Sequence, residues 1–139
     1  MSPDQESVLF YYDPNPSESR AVILLHGLGA DGESWGYQAA ALSRVGFRPI
    51  TPDLPGFGRS PLPADVEWDI ARCAQMVTCL LDQLGLDRFV LVGHSMGGTV
   101  AQQLALNAGD RSFSASIRLL TCSISSSAFM LLIVIAVVQ

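Results

Sequence analysis

The stretch Val90-Leu91-Val92-Gly93-His94-Ser95-Met96-Gly97-Gly98 constrains this chain more than any other. Residues 89–92 are a continuous apolar run of strand length, and residues 99–106 continue as a helix. Only a sharp turn fits between them. Gly93-His94-Ser95-Met96-Gly97 matches the pattern G-x-S-x-G, which sets a serine at the tip of a strained strand-to-helix turn. Glycine two places to either side removes the side chains that would collide there. The hydroxyl of such a serine projects at the carboxyl end of a strand, in front of a helix start. That helix start offers free N–H groups and a partial positive charge to a developing oxyanion. A pattern with three fixed positions is common by chance. The flanking strand and helix give this one its weight.

The rest of the chain repeats the same alternation. Residues 8–12 suit an edge strand, and Asp13-Pro14-Asn15-Pro16-Ser17 is a turn cluster. Ala21-Val22-Ile23-Leu24-Leu25 is apolar throughout, as expected of a parallel strand covered on both faces. It ends in His26-Gly27-Leu28-Gly29-Ala30-Asp31-Gly32. A helix is expected next, with Trp35, Ala39 and Leu42 buried and Gly46 as its stop. Residues 47–51 read as a second strand, closed by the Pro/Gly-rich loop 52–60. Val66, Ile70, Cys73, Val77, Leu80 or Leu81, and Leu84 recur at helical spacing, and Gly85 ends that helix. Residues 88–92 form the third strand. Strand–helix repeated three times implies a parallel α/β sheet in one domain or part of one.

Composition bounds the partners. A net charge of -5 argues against nucleic acid, which needs a basic face. The eight basic residues are all arginine, a bias with no physical account here. Cys73, Cys79 and Cys122 are odd in number and lack metal-ligand spacing. Reduced thiols and a cytoplasmic location are the expectation. The acidic start, Met1-Ser2-Pro3-Asp4-Gln5-Glu6, has no apolar segment, so no signal peptide is expected.

The first glycine-rich loop admits two readings. Gly27-Leu28-Gly29-Ala30-Asp31-Gly32 is literally G-x-G-x-x-G after a strand, with Asp53 about twenty residues on, as in a dinucleotide-binding unit. Charge opposes this, because Asp31 and Glu33 at the helix start would repel a pyrophosphate. In the other reading, His26-Gly27-Leu28-Gly29 is an oxyanion loop of HG type. The N–H of Leu28 then converges with that of Met96. His26 is expected to hold this loop as a hydrogen-bonded turn residue.

Three stretches together resemble the first half of an α/β-hydrolase-fold protein: Leu24-Leu25-His26-Gly27-Leu28-Gly29, Asp53-Leu54-Pro55-Gly56-Phe57-Gly58-Arg59-Ser60, and Gly93-His94-Ser95-Met96-Gly97-Gly98. The resemblance covers residues 8–111. It implies a parallel sheet core flanked by helices, with the C-terminal half of the fold absent. It implies Ser95 as catalytic nucleophile and the backbone N–H groups of Leu28 and Met96 as the oxyanion hole. His26, Gly27, Gly29, Gly93, His94 and Gly97 form the supporting loop and elbow. The implied activity is hydrolysis of a small ester-like substrate, or of another acyl or C–C bond, with no cofactor and no metal. Ser95 argues against the haloalkane dehalogenase and epoxide hydrolase branches, which carry aspartate at that position.

The departures matter as much. The family's acid and histidine follow its nucleophile. After Ser95 this chain has one acidic residue, Asp110, expected just beyond the helix, and no histidine. His94 is expected to point away from Ser95. A serine without a base is a poor nucleophile, so the chain is expected to be inactive alone. The alternative is a non-catalytic truncated pseudoenzyme or binding module. Residues 112–139 leave the pattern altogether. Seven of the sixteen residues 112–127 are serine, and residues 128–138 are apolar without a break. As a helix that run spans about 16 Å, short of the ~30 Å hydrocarbon core. Residues 119–139 carry no charge and would just reach, so a membrane anchor is one expectation. A gene-end artefact and a core strand are the others. Residues 117–120 are the candidate for the next sheet strand. With at most that strand to cover residues 90–92, self-association is expected as well.

Overall fold

A computed structural model of the chain describes residues 9–110, 120–126 and 129–138. Six strands form one sheet: β1 (Tyr11–Tyr12), β2 (Ala21–Leu25), β3 (Arg48–Pro52), β4 (Phe89–His94), β5 (Leu120–Ser126) and β6 (Phe129–Val138). Their order is β1-β3-β2-β4-β6-β5. Three helices accompany them: α1 (Gly36–Arg44), α2 (Ile70–Gln83) and α3 (Met96–Asp110).

The three central strands run parallel, as the alternation implies. Ala21 of β2 stands between Arg48 of β3 and Phe89 of β4. The parallel core flanked by helices is as expected, and the sheet becomes mixed at its outer strands. β1 pairs antiparallel with β3, and β6 pairs antiparallel with β4 from Phe89↔Val138 to His94↔Ile133. The strand beside β4 is therefore the apolar run 129–138, not residues 117–120. Residues 117–119 lie outside the described residues, and Leu120 opens β5, one strand further out. Among the described residues no helix is long and apolar enough to cross a membrane. The helical anchor is thus corrected at 129–138, which form a strand.

Period-two alternation divides the core. Ile23 and Leu25 of β2, Ile50 of β3 and Leu91 of β4 face α2 and α3, which contribute Cys73, Val77, Leu80, Val100 and Leu104. Val22 and Leu24 face α1 with Ala39, and Trp35, Leu42, Phe47, Val90 and Val92 pack around them. All five residues of β2 are buried, because both of its faces are covered. Burial pushes the Cys73 thiol up to about 11, which keeps it protonated and unreactive.

The helix ends follow the sequence closely. Past α1, Gly46 N–H donates to Ser43 C=O and Phe47 N–H to Leu42 C=O. Past α2, Gly85 N–H donates to Asp82 C=O and Leu86 N–H to Leu81 C=O. Each is a Schellman closure with glycine at positive φ, +80° and +64°. The start of α2 is later than the apolar spacing suggests. Asp69 caps it, accepting from Arg72 N–H at 2.6 Å, so Val66 lies outside the helix. Elsewhere strand boundaries shift by a residue or two. A bidentate pair ties Asp13 of the first turn to Arg48 of β3, with Nη2 to Oδ2 at 2.7 Å.

Candidate active site

Ser95 stands alone between β4 and α3, and it is exposed. Its φ of +53° makes it the one non-glycine residue at positive φ among the described residues. Such a conformation costs a residue with a Cβ roughly 1–2 kcal/mol and persists only where the surroundings enforce it. The flanking glycines allow the close packing this turn needs. A Cβ on Gly97 would come within 2.5 Å of the His26 carbonyl oxygen and overlap that of Leu25. A Cβ on Gly93 would sit 2.5 Å from the Gly97 carbonyl carbon. α3 can therefore start directly behind the serine and against the end of β2. Gly98 and Thr99 N–H donate back to Ser95 C=O at 2.9 and 3.2 Å. Met96 is the first helical residue, so its N–H has no acceptor within the helix.

The His26–Gly29 loop lies against this elbow. A Cβ on Gly27 would be 3.4 Å from Ser95 Cβ and 3.1 Å from His94 Nδ1. Gly27 is thus the point of contact between the two glycine-rich motifs, and the His94 ring leans on it. Leu28 follows with 74% of its surface exposed. Among the described residues no acceptor meets the Leu28 N–H. Gly29, at φ +75°, turns the loop away into open space.

His26 is wholly buried. Its Nδ1 lies 2.8 Å from Gly27 C=O, and its Nε2 accepts from Leu54 N–H at 2.8 Å. One ring nitrogen must donate and the other accept, so the imidazole is neutral with its proton on Nδ1. Burial lowers its basicity, against smaller opposing effects of the Gly27 carbonyl and the Asp53 and Asp31 charges. The ring edge meets Phe57 at 5.6 Å between centroids, and Phe57 meets Trp68 at 6.4 Å.

Asp53 organises the loop that follows β3, and sequence reasoning assigned it no such part. The residue is buried. Its Oδ1 accepts from Gly32 N–H at 2.6 Å and its Oδ2 from Arg59 N–H at 2.8 Å. Ser60 Oγ donates to Asp53 C=O at 2.6 Å and accepts from Phe10 N–H at 2.9 Å. The available signal was an acidic residue directly before a run of glycines, where backbone amides are left to be satisfied. The same contacts dispose of the dinucleotide reading. Asp53 holds Gly32 N–H, and Asp31 holds Glu33 N–H at 3.0 Å. The amides that a pyrophosphate would need are occupied by the chain's own carboxylates.

Ser95, Gly27, Gly93, His94 and Gly97 are thus brought together, with Leu28 and Met96 next to them in the chain. No acid–histidine pair joins them among the described residues. Both nitrogens of His26 are engaged elsewhere, and Asp110 is the last residue of α3 rather than a loop residue beyond it.

A serine at positive φ, on a parallel strand and before a helix, defines a protein class. This chain belongs to the alpha/beta hydrolase fold family, whose model matches residues 20–131. It is 41% identical over 99 residues to the RutD protein of Variovorax paradoxus, named for carbamate hydrolysis. That match takes in 71% of this chain and 37% of RutD. Bifunctional epoxide hydrolase 2 of Sus scrofa is 40% identical over 88 residues, 62% of this chain and 16% of that protein. Among solved structures, a thermophilic esterase from Thermogutta terrifontis superposes with a TM-score of 0.67 at 36% identity. There the match covers 74% of this chain and 37% of the esterase. The chain thus spans little more than a third, at most, of the relatives it matches. These three relatives are named as hydrolases.

Proposed function

We propose that these residues carry the nucleophile and oxyanion elements of a serine hydrolase acting on an ester or a related acyl or C–C bond. The observation that carries this reading is the positive φ of Ser95 at the β4–α3 turn, with Gly27 packed against it. Ser95 attacks a carbonyl carbon, and the N–H groups of Leu28 and Met96 receive the oxyanion. A second such donor matters: losing one from an oxyanion hole costs about 2.7–4 kcal/mol of transition-state stabilisation. Serine, rather than a carboxylate, at the elbow favours attack at an acyl carbon over displacement at an epoxide or halide carbon. The substrate is a small ester-like molecule.

Among the described residues no acid–histidine pair meets Ser95, so the chain should turn over little by itself. The purified chain should hydrolyse p-nitrophenyl acetate no faster than its Ser95→Ala variant. Added imidazole, a free general base, should raise turnover above the imidazole-only rate in the wild type and not in the variant. A missing Ser95-dependent increment would remove the nucleophile assignment. Strong turnover without imidazole, lost in Ser95→Ala and with a midpoint near pH 6.5, would show that a histidine of the chain already serves as base.

A further inference from the structure

His26 has no place in the proposed chemistry, yet it is buried, and each ring nitrogen has one partner. The partner of Nδ1 is the Gly27 carbonyl. That carbonyl belongs to the same peptide group as the Leu28 N–H. In a trans peptide, C=O and N–H point to opposite sides of one rigid plane. Fixing the carbonyl direction therefore fixes the N–H direction. Gly27 has no side chain to hold that plane, and the backbone restrains it only through the long Ala30 N–H bond to the same carbonyl at 3.2 Å.

We propose that His26 is a positioning residue that aims the Leu28 N–H at Ser95 by gripping the Gly27 carbonyl from behind. The inference rests on the reading of Ser95 and Leu28 given above. The second ring nitrogen makes the grip possible. Leu54 N–H, a donor with a fixed direction at the start of the Asp53–Ser60 loop, requires Nε2 to be the unprotonated nitrogen. The proton is thereby confined to Nδ1, which donates it in a hydrogen bond to the Gly27 carbonyl. Ala30 N–H adds a second donor to the same carbonyl at 3.2 Å. Asp53 secures the far end by holding Gly32 and Arg59 amides. The loop after β3 thus selects the imidazole tautomer, and the tautomer selects the orientation of an oxyanion donor.

The two ring nitrogens can be separated by substitution. In His26→Asn the amide nitrogen stands where Nδ1 stands, and the Leu54 bond is lost. In His26→Gln the terminal amide reaches the Nε2 position, and the Gly27 bond is lost. Phenylboronic acid is a suitable probe, because it adds to a serine hydroxyl as a tetrahedral oxyanion. With folding of each variant checked by thermal melt, H26N should bind the boronate at least roughly tenfold more tightly than H26Q, one hydrogen bond's worth. A purely structural histidine would lower both alike. Ring 15N spectra of the wild type should show the Nδ1–H tautomer, and the Leu28 amide resonance should move more in H26Q than in H26N. An Nε2–H tautomer, or equal boronate affinity in the two variants, overturns the inference. No adduct on the wild type counts against the Ser95 reading instead. The tautomer and the Leu28 resonance then decide the part of His26 by themselves.

Discussion

Two residues set what the site tolerates. Gly97 packs on backbone carbonyls that cannot move aside, so Gly97→Ala must separate α3 from the end of β2. Overpacking of this kind costs about 1–3 kcal/mol or more. Gly36, the first residue of α1, has open space and an ordinary helical φ of -54°. There alanine should stabilise by about 0.4–1 kcal/mol, through the unfolded chain. Urea unfolding of the two variants should give shifts of opposite sign. His26 supplies a pH dependence. Burial depresses its folded pKa below the unfolded value of about 6.5, so below that pH the unfolded chain binds the proton more readily. Its contribution is whole above about pH 6.5 and is lost as pH falls through the folded pKa. In His26→Gln the loss of stability on acidification below about pH 6.5 should be shallower. Equal slopes for wild type and variant would refute this. The need for glycine at 93 and 97 was legible in the spacing alone. The tautomer of His26 was not, because it depends on Leu54, which the chain brings close only by folding.

Among the elements, the loop between β3 and α2 shows where local patterns mislead. The apolar spacing from Val66 onward is helical in period, yet the helix waits for the cap at Asp69. Hydrophobic period says which face is buried, whereas side-chain hydrogen bonds to orphan amides decide where a helix begins. Asp69→Ala should therefore cost about 1 kcal/mol. Asp53→Asn should cost more. The amide keeps one acceptor but turns a second donor toward either Gly32 N–H or Arg59 N–H, leaving a buried N–H unmet at about 1–3 kcal/mol. Chemical denaturation of both variants ranks them, and an Asp53→Asn loss smaller than that of Asp69→Ala would show the Asp53 loop to be dispensable. Asp53 invites a ribose-binding reading, which the charges of Asp31 and Glu33 oppose, for the same reason. Its sequence position matched a known spacing, while its carboxylate points inward to the chain's own backbone.

At the scale of the molecule, the sheet is covered unequally. α2 and α3 lie on one face, while α1 covers β2 and β3 on the other and leaves Val90 and Val92 of β4 only partly buried. On the same side the buried Trp35 Nε1 and Ser43 Oγ have no hydrogen-bond partner among the described residues. The edge of β4 is closed by β6, so unpaired β4 backbone no longer argues for self-association. The half-covered face still does. β5, which ends the sheet with neither charge nor proline, adds to it. Size-exclusion chromatography with light scattering should show assemblies larger than 14.9 kDa. A monomer with a cooperative melt above about 45 °C would contradict that. The strand alternation in the sequence disclosed the parallel centre of the sheet. The antiparallel docking of residues 129–138 was hidden, because an unbroken apolar run suits a strand and a helix equally. Finally, the contact of Gly97 with the Leu25 and His26 carbonyls has a kinetic side. It joins segments far apart in sequence, and pairings that close long loops form after local ones. The backbone of Ser95 can hold its left-handed turn only once β2 has met β4. In a chain still emerging from the ribosome Ser95 should therefore sit in a relaxed backbone, and its left-handed turn should form late in folding.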